Sequence, residues 1–184
     1  VRLNRRSSLE TVAAVVGQAL RQQGIDAVLT GGGCATIYSG GAYHSHDLDF
    51  IVRSGGNKAA LDTALASVGF RRDHDRYVHA ATPYFVEFPR GPLSIGDDTA
   101  IRPVQLRIAG RTIAALSATD SCRDRLAAFY HWSDRQSLSS AIEIAARQRV
   151  RVTLIRTWSE REGAAGRFAE FESALVTRRR RLRE

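Results

Sequence analysis

The stretch Val28-Leu29-Thr30-Gly31-Gly32-Gly33-Cys34-Ala35, followed after nine residues by Ser45-His46-Asp47-Leu48-Asp49-Phe50-Ile51, decides how this chain is read. Ile25 to Thr30 has the pattern of a buried strand, the three glycines break it, and Cys34 to Tyr38 reads as a short helix. Without Cβ atoms the backbone can approach an anion closely. The N–H groups at a helix start then favour phosphate. Asp47 to Val52 reads as a second strand. Its two aspartates stand at i and i+2, so their carboxylates point to one face. Like charges side by side repel unless a cation sits between them. Two hard oxygen ligands suit Mg²⁺, with phosphate oxygens and water completing the octahedron. A phosphate cradle beside a carboxylate pair points to metal-assisted phosphoryl or nucleotidyl transfer. Taken separately, the glycines could be only a tight turn and the aspartates only a solvated strand face.

Such a site calls for a third carboxylate from a neighbouring strand. Glu87, in Tyr84-Phe85-Val86-Glu87-Phe88-Pro89, is the best candidate, a lone acid in an otherwise apolar run. Burying it is costly unless a cation or partner offsets it. Asp97 and Asp98 are weaker candidates, because Gly96 places them in a turn.

At these residues the sequence resembles the nucleotidyltransferase superfamily that includes DNA polymerase β, which shows paired small residues, a gap, and then Asp-apolar-Asp/Glu-apolar. Counted from Gly32-Gly33 the gap is 13 residues, and from Gly31-Gly32 it is 14, which leaves the glycine register open. With Ile37-Tyr38-Ser39, Tyr43 and the run Asp124 to Trp132 followed by Asp134-Arg135-Gln136-Ser137-Leu138, it looks most like small bacterial proteins related to AbiEii toxins. The resemblance spans about residues 10–150. It implies an α+β fold: a nucleotidyltransferase-like mixed β-sheet with flanking helices. It also implies a mechanism with two Mg²⁺ ions, bridged by Asp47 and Asp49, with Glu87 on the first and helping to deprotonate an acceptor hydroxyl. That hydroxyl attacks the α-phosphate of an NTP and pyrophosphate leaves. Gly31, Gly32, Gly33 and Thr30 would hold the triphosphate. The lysine that AbiEii-like toxins carry on the first C-terminal helix has no counterpart here, and Arg125 or Arg123 would take its place. Asp134-Arg135 could stand for a later Arg-Asp feature of that group. RNA, protein or a small hydroxyl compound would be the acceptor, in a toxin–antitoxin setting.

The rest of the chain supplies the frame. A helix is expected from Ser7 or Ser8 to about Gln23, a third helix over Lys58 to Val68, and strands over Phe70 to Ala80 and Tyr84 to Phe88. A hairpin is expected over Val104 to Ala115, turning at Ala109-Gly110. Helices then follow to about Trp132, Arg147, Glu162 and Arg180. The domains expected are an α/β core over 1–116 and a helical region over 117–184.

At 184 residues and 43% hydrophobic, the chain can bury a core, which excludes disorder over most of its length. No apolar run approaches the ~20 residues of a membrane span. Arg2, Arg5 and Arg6 precede a short apolar stretch, but Glu10 and Gln18 interrupt it, so an amphipathic helix is expected there rather than a signal peptide. The net charge of +8 comes from arginine, with Lys58 the one lysine, a bias common to GC-rich coding. It still favours polyanionic partners. Five arginines close the chain in Thr177 to Arg183, read either as a frayed, solvated end or as an electrostatic arm. That arm underlies the alternative reading, an inactive module of the same fold that binds nucleic acid or a protein partner. Cys34 and Cys122 match no metal or redox spacing, so reduced thiols in a cytoplasmic protein are expected. His44 and His46 read as loop histidines, and His131-Trp132 as packing at a helix end.

Overall fold

The computed structural model describes residues 2–184. The elements run α1 (Leu9–Gln22), β1 (Asp26–Thr30), α2 (Gly31–Tyr38), β2 (Asp47–Ser54), α3 (Lys58–Ala66), β3 (Phe70–Asp73), β4 (Arg76–His79), β5 (Phe85–Glu87), β6 (Val104–Ile108), β7 (Arg111–Ala115), α4 (Ala118–Trp132), α5 (Arg135–Arg147), α6 (Val152–Arg161) and α7 (Ala165–Arg181). Two compact units divide them. The first takes the chain up to Cys34, then Ser45–Leu93 and Arg102–Leu116; the second takes Ala35–His44, Ser94–Ile101 and Ser117–Glu184.

The first unit holds one sheet in the order β3-β4-β5-β2-β1-β7-β6. It is mixed: β2 runs parallel to β5 and β1 parallel to β7, and the remaining neighbours are antiparallel. Ser8 caps α1 by accepting from the Thr11 N–H, and Leu9, Val12, Val16 and Leu20 form its buried stripe. That stripe covers one face of the sheet. The face is fixed by register: a Cβ on Gly17 would run into the Ile113 side chain, Ile113 alternates with Ala115, and Ala115 pairs with Leu29, which pairs with Phe50. Leu48, Phe50 and Val86 are fully buried on that side. Asp47 and Asp49 therefore point to the opposite face.

Two expectations need correction here. Phe70 to Ala80 is not one strand but a hairpin, turning at His74, whose φ of 59° is left-handed. The polar Asp73-His74-Asp75 triplet is the turn signal within that run. The three glycines are also not a turn ahead of a helix. They form the first turn of α2 itself, entered through Gly31 at φ 63°. The β6–β7 hairpin turns at Ala109-Gly110 as expected, with both φ angles positive (44° and 74°).

The second unit is helical. Ser117 caps α4 and Asp134 caps α5, each by accepting from backbone N–H groups of the first turn. Arg123 is the buried cation of this unit. It pairs with Asp98 at 2.6 Å and Asp120 at 2.9 Å, and its guanidinium lies over the Trp158 ring. The arginine-rich end is helical to Arg181, with Arg180, Arg181 and Arg183 exposed. It continues α7, Arg178 forms a forked pair with Glu143, and Arg179 donates to the Ala145 carbonyl. Trp132 is 82% exposed, so it does not pack, contrary to the sequence expectation. Both cysteines are buried, and neither is in a disulfide. No helix among the described residues is long and apolar enough to cross a membrane.

Candidate functional site

The site lies in the first unit, where β1 ends, α2 begins and β2 and β5 start. The register sets Asp49 beside Thr30 on β1 and beside Glu87 on β5, with Asp47 beside Phe85. Partners in register share a face, so Asp47, Asp49 and Glu87 project together. One oxygen of each carboxylate lies within 4.8 Å of the others, and all three side chains are half-buried.

The glycine turn is built against this cluster. The Asp49 carboxylate sits so close to Gly31 that a Cβ there would collide with its Oδ2, and the left-handed φ disfavours any side chain as well. At Gly33 a Cβ would lie 2.8 Å from Leu48 Cδ2 and 2.9 Å from the Asp47 carbonyl oxygen. The glycines thus bring the N-terminal turn of α2 onto the backbone of β2, where helix N–H groups favour negative charge. The Thr30 hydroxyl donates to the Asp49 carbonyl oxygen at 3.3 Å, tying the two strand ends together.

Glu87 carries the electrostatic signature. Burial, then the charges of Asp47 and Asp75, push its carboxyl above the ordinary glutamate range, while Arg76 pulls it back. Three carboxylate oxygens without nitrogen or sulfur form a hard donor set, which fits Mg²⁺ or a similar divalent cation.

Sequence reading missed three participants. Ser45 donates to Asp47 Oδ1, and its position two residues before the aspartate was the available signal. Arg76 stands in register opposite Glu87 with its guanidinium 5.0 Å from the Phe85 ring centroid, and Asp75 adds negative charge nearby. Recognising the β3–β4 turn would have brought both to β5. Among the other candidates, Asp98 is held by Arg123 in the second unit, and Asp97 donates its N–H to Glu162 there. Arg125, on α4, pairs with Asp124 at 2.7 Å, and Asp134 serves as the cap of α5.

No protein-family profile and no curated protein sequence matches this chain. Solved structures do. An antigenic nucleotidyltransferase-like protein from Paracoccidioides brasiliensis superposes with a TM-score of 0.59 at 16% identity, over 94% of both chains. The antibiotic-resistance factor ANT(2'')-Ia in solution gives 0.53 at 15% identity, over 91% of this chain and 95% of its own. The same factor in complex with adenylyl-2''-tobramycin gives 0.50 at 15% identity, over 91% and 98%. The chain therefore has a nucleotidyltransferase-like fold.

Proposed function

We propose that this protein is a Mg²⁺-dependent nucleotidyltransferase that moves a nucleoside monophosphate from an NTP to an acceptor hydroxyl. One observation carries the reading: Asp47, Asp49 and Glu87 converge from two neighbouring strands beside a helix start opened by glycine. The fold shared with ANT(2'')-Ia, whose complex contains an adenylylated product, supports it.

In this reading Asp47 and Asp49 would hold the two Mg²⁺ ions the reaction calls for, with Glu87 as a further ligand. When bound, Mg²⁺ neutralises phosphate charge and orients the acceptor oxygen for in-line displacement. The chain's own groups do the remaining work. Ser45 fixes the rotamer of Asp47 through its hydrogen bond. Glu87, with its raised affinity for a proton, takes the proton from the acceptor hydroxyl as that oxygen attacks the α-phosphate. Pyrophosphate departs toward the N–H groups of Gly31, Gly32 and Gly33, where the helix start offsets its charge. Thr30 supports this turn through its hydrogen bond to the Asp49 carbonyl oxygen. The acceptor is RNA or protein, in a toxin–antitoxin arrangement of the AbiEii type.

Calorimetric titration of each NTP with and without Mg²⁺ tests the reading, followed by transfer assays with α-labelled NTP. Mg²⁺-dependent binding and label transfer should be present in the wild type and lost in Asp49→Ala, which keeps its circular dichroism. Equal transfer by the variant, or no binding of any NTP, would overturn it.

A further inference from the structure

Behind the sheet, on the face opposite the carboxylates, a cavity of about 540 Å³ opens between the start of α3, the β3–β4 hairpin and the segment after β5. Alternation fixes its side: Val52 follows Leu48 and Phe50 at two-residue steps, and Tyr77 pairs in register with Val86. Phe88 forms its aromatic wall, backed edge to face at 5.6 Å by Tyr77, which is itself buried and lies under the Arg72 guanidinium. Its volume falls in the range of small-molecule sites, roughly 300–1,000 Å³.

The charges around this wall are unequal. Lys58, Arg72 and Arg90 line the cavity against one acid, Asp75. Arg72 is already committed: its Nε donates to Asp62 at 2.8 Å, and its guanidinium also reaches the Tyr77 hydroxyl. Asp62 in turn accepts from that hydroxyl at 2.8 Å, so the three side chains form a closed triangle that holds the aromatic wall. Lys58 and Arg90 differ. Both are exposed, and neither makes a hydrogen bond or ion pair with any described residue. Lys58 acts on Asp62 only through its field, which leaves two cations without a direct partner beside an aromatic ring, and these suit a ligand with a flat apolar body and an anionic group. Asp75 gives such a ligand one acceptor for an amine.

We infer that this cavity is a second binding site, for a small planar aromatic anion bearing a phosphate or a carboxylate, with the ring against Phe88 and the anion held by Lys58 and Arg90. Nucleoside monophosphates and aromatic carboxylates share this chemistry. The inference does not depend on the nucleotidyltransferase reading, because Asp47, Asp49 and Glu87 lie outside the lining, and Asp75, whose charge reaches Glu87, is the one residue the two sites share.

The test uses the full chain without Mg²⁺ and four probes: AMP, CMP, benzoate and inorganic phosphate, followed by calorimetry or ligand-observed NMR. Saturable binding of a nucleoside monophosphate or of benzoate is expected, and which of the two binds tighter assigns the source of the anion. Each charge-assisted contact carries about tenfold or more in affinity. Lys58→Ala and Arg90→Ala should therefore each weaken binding by about that factor, with folding intact because both side chains are exposed. Asp49→Ala should bind as the wild type does, which separates this site from the nucleotide site proposed above. Phosphate binding as tightly as the aromatic probes would mean an adventitious anion only and would overturn the inference. So would binding lost in Asp49→Ala but kept in the two cavity variants, or no saturation by any probe at millimolar concentration.

Discussion

Replacing Gly31 by alanine tests how the site is built, because two costs meet there and can be separated. The first is conformational. Gly31 has φ 63°, and an L-residue in the left-handed region costs about 1–2 kcal/mol, partly offset by about 0.4–1 kcal/mol from a stiffer unfolded chain. Gly40 provides the control: its φ is 60° and an added Cβ there would meet nothing within 4 Å. Gly40→Ala should thus cost about 0.5–1 kcal/mol and leave metal binding alone. The second cost exists only at Gly31, where the new Cβ would overlap the Asp49 carboxylate. Overpacking of this kind adds about 1–3 kcal/mol, for a total near 2–4 kcal/mol. At this chain length that lowers Tm by about 5–10 °C. A displaced Asp49 should also weaken Mn²⁺ binding by about 10–100-fold, the usual scale for disturbing the groups that orient a ligand. Urea and thermal unfolding give the first quantity, and water-proton relaxation with Mn²⁺ gives the second. In an Asp49→Ala background the carboxylate overlap is gone and only a 3.1 Å contact with the residue-49 Cβ remains, so Gly31→Ala should fall most of the way back to the Gly40 figure, a coupling of about 1–3 kcal/mol. If Gly31→Ala proves no worse than Gly40→Ala in both stability and metal binding, the close approach of α2 to Asp49 has no energetic content and the site is misread.

Two further outcomes concern the ionised groups. Because burial and then Asp47 and Asp75 hold the Glu87 carboxyl above its ordinary 4.5, its contribution to stability is full below that value and is lost as pH rises through the folded one. Added Mg²⁺ should therefore raise Tm at neutral pH and lose this effect as Glu87 protonates on acidification; an equal Mg²⁺ shift at all pH values would contradict the assignment. In the second unit the Arg123 guanidinium holds Asp98 below its ordinary 3.8, so this pair stabilises at higher pH and its contribution falls as pH drops through the folded value. Arg123→Ala strands Asp98 and Asp120 and should cost about 2–4 kcal/mol in urea unfolding at neutral pH, with the deficit shrinking in acid; a loss below about 1 kcal/mol would show the pair to be spent on solvent.

The elements written into local chemistry were legible in the sequence. Ser8, Asn57 and Asp134 announce helix starts by their capping oxygens, and Ala109-Gly110 marks a hairpin turn. The carboxylate cluster was also legible, because strand periodicity alone puts Asp47 and Asp49 on one face, and Glu87 was conspicuous as a lone acid in an apolar strand. What sequence could not supply was pairing. Nothing local says that β5 lies parallel to β2 in the register Asp49 to Glu87, or that β4 brings Arg76 opposite Glu87. The misread hairpin has the same origin: Phe70 to Ala80 is strand-forming on both sides of His74, and its turn residue adopts a left-handed φ that only the β3–β4 pairing enforces. The pairing of Arg178 and Arg179 was not legible because their partners, Glu143 and the Ala145 carbonyl, are more than thirty residues away in the chain.

Whether the acids are a cation centre or a solvated face turns on a magnitude. Two unit charges 4.8 Å apart, the outer limit of this cluster, repel by about 1 kcal/mol in water and about 3.5 kcal/mol at an effective dielectric of ~20. Three half-buried carboxylates make three such pairs, so the bare, fully ionised cluster costs roughly 3–10 kcal/mol, comparable with the whole stability of a typical domain, about 5–15 kcal/mol. Asp75 adds to this repulsion at Glu87 and Arg76 relieves part of it. A solvated face would splay the three side chains apart at no cost to packing. Instead Ser45 fixes Asp47, and Gly31 makes room for Asp49 at the expense of a strained-for-others backbone angle. A left-handed glycine and a serine hydroxyl thus hold like charges together, an arrangement whose repulsion a divalent cation at their centre would relieve.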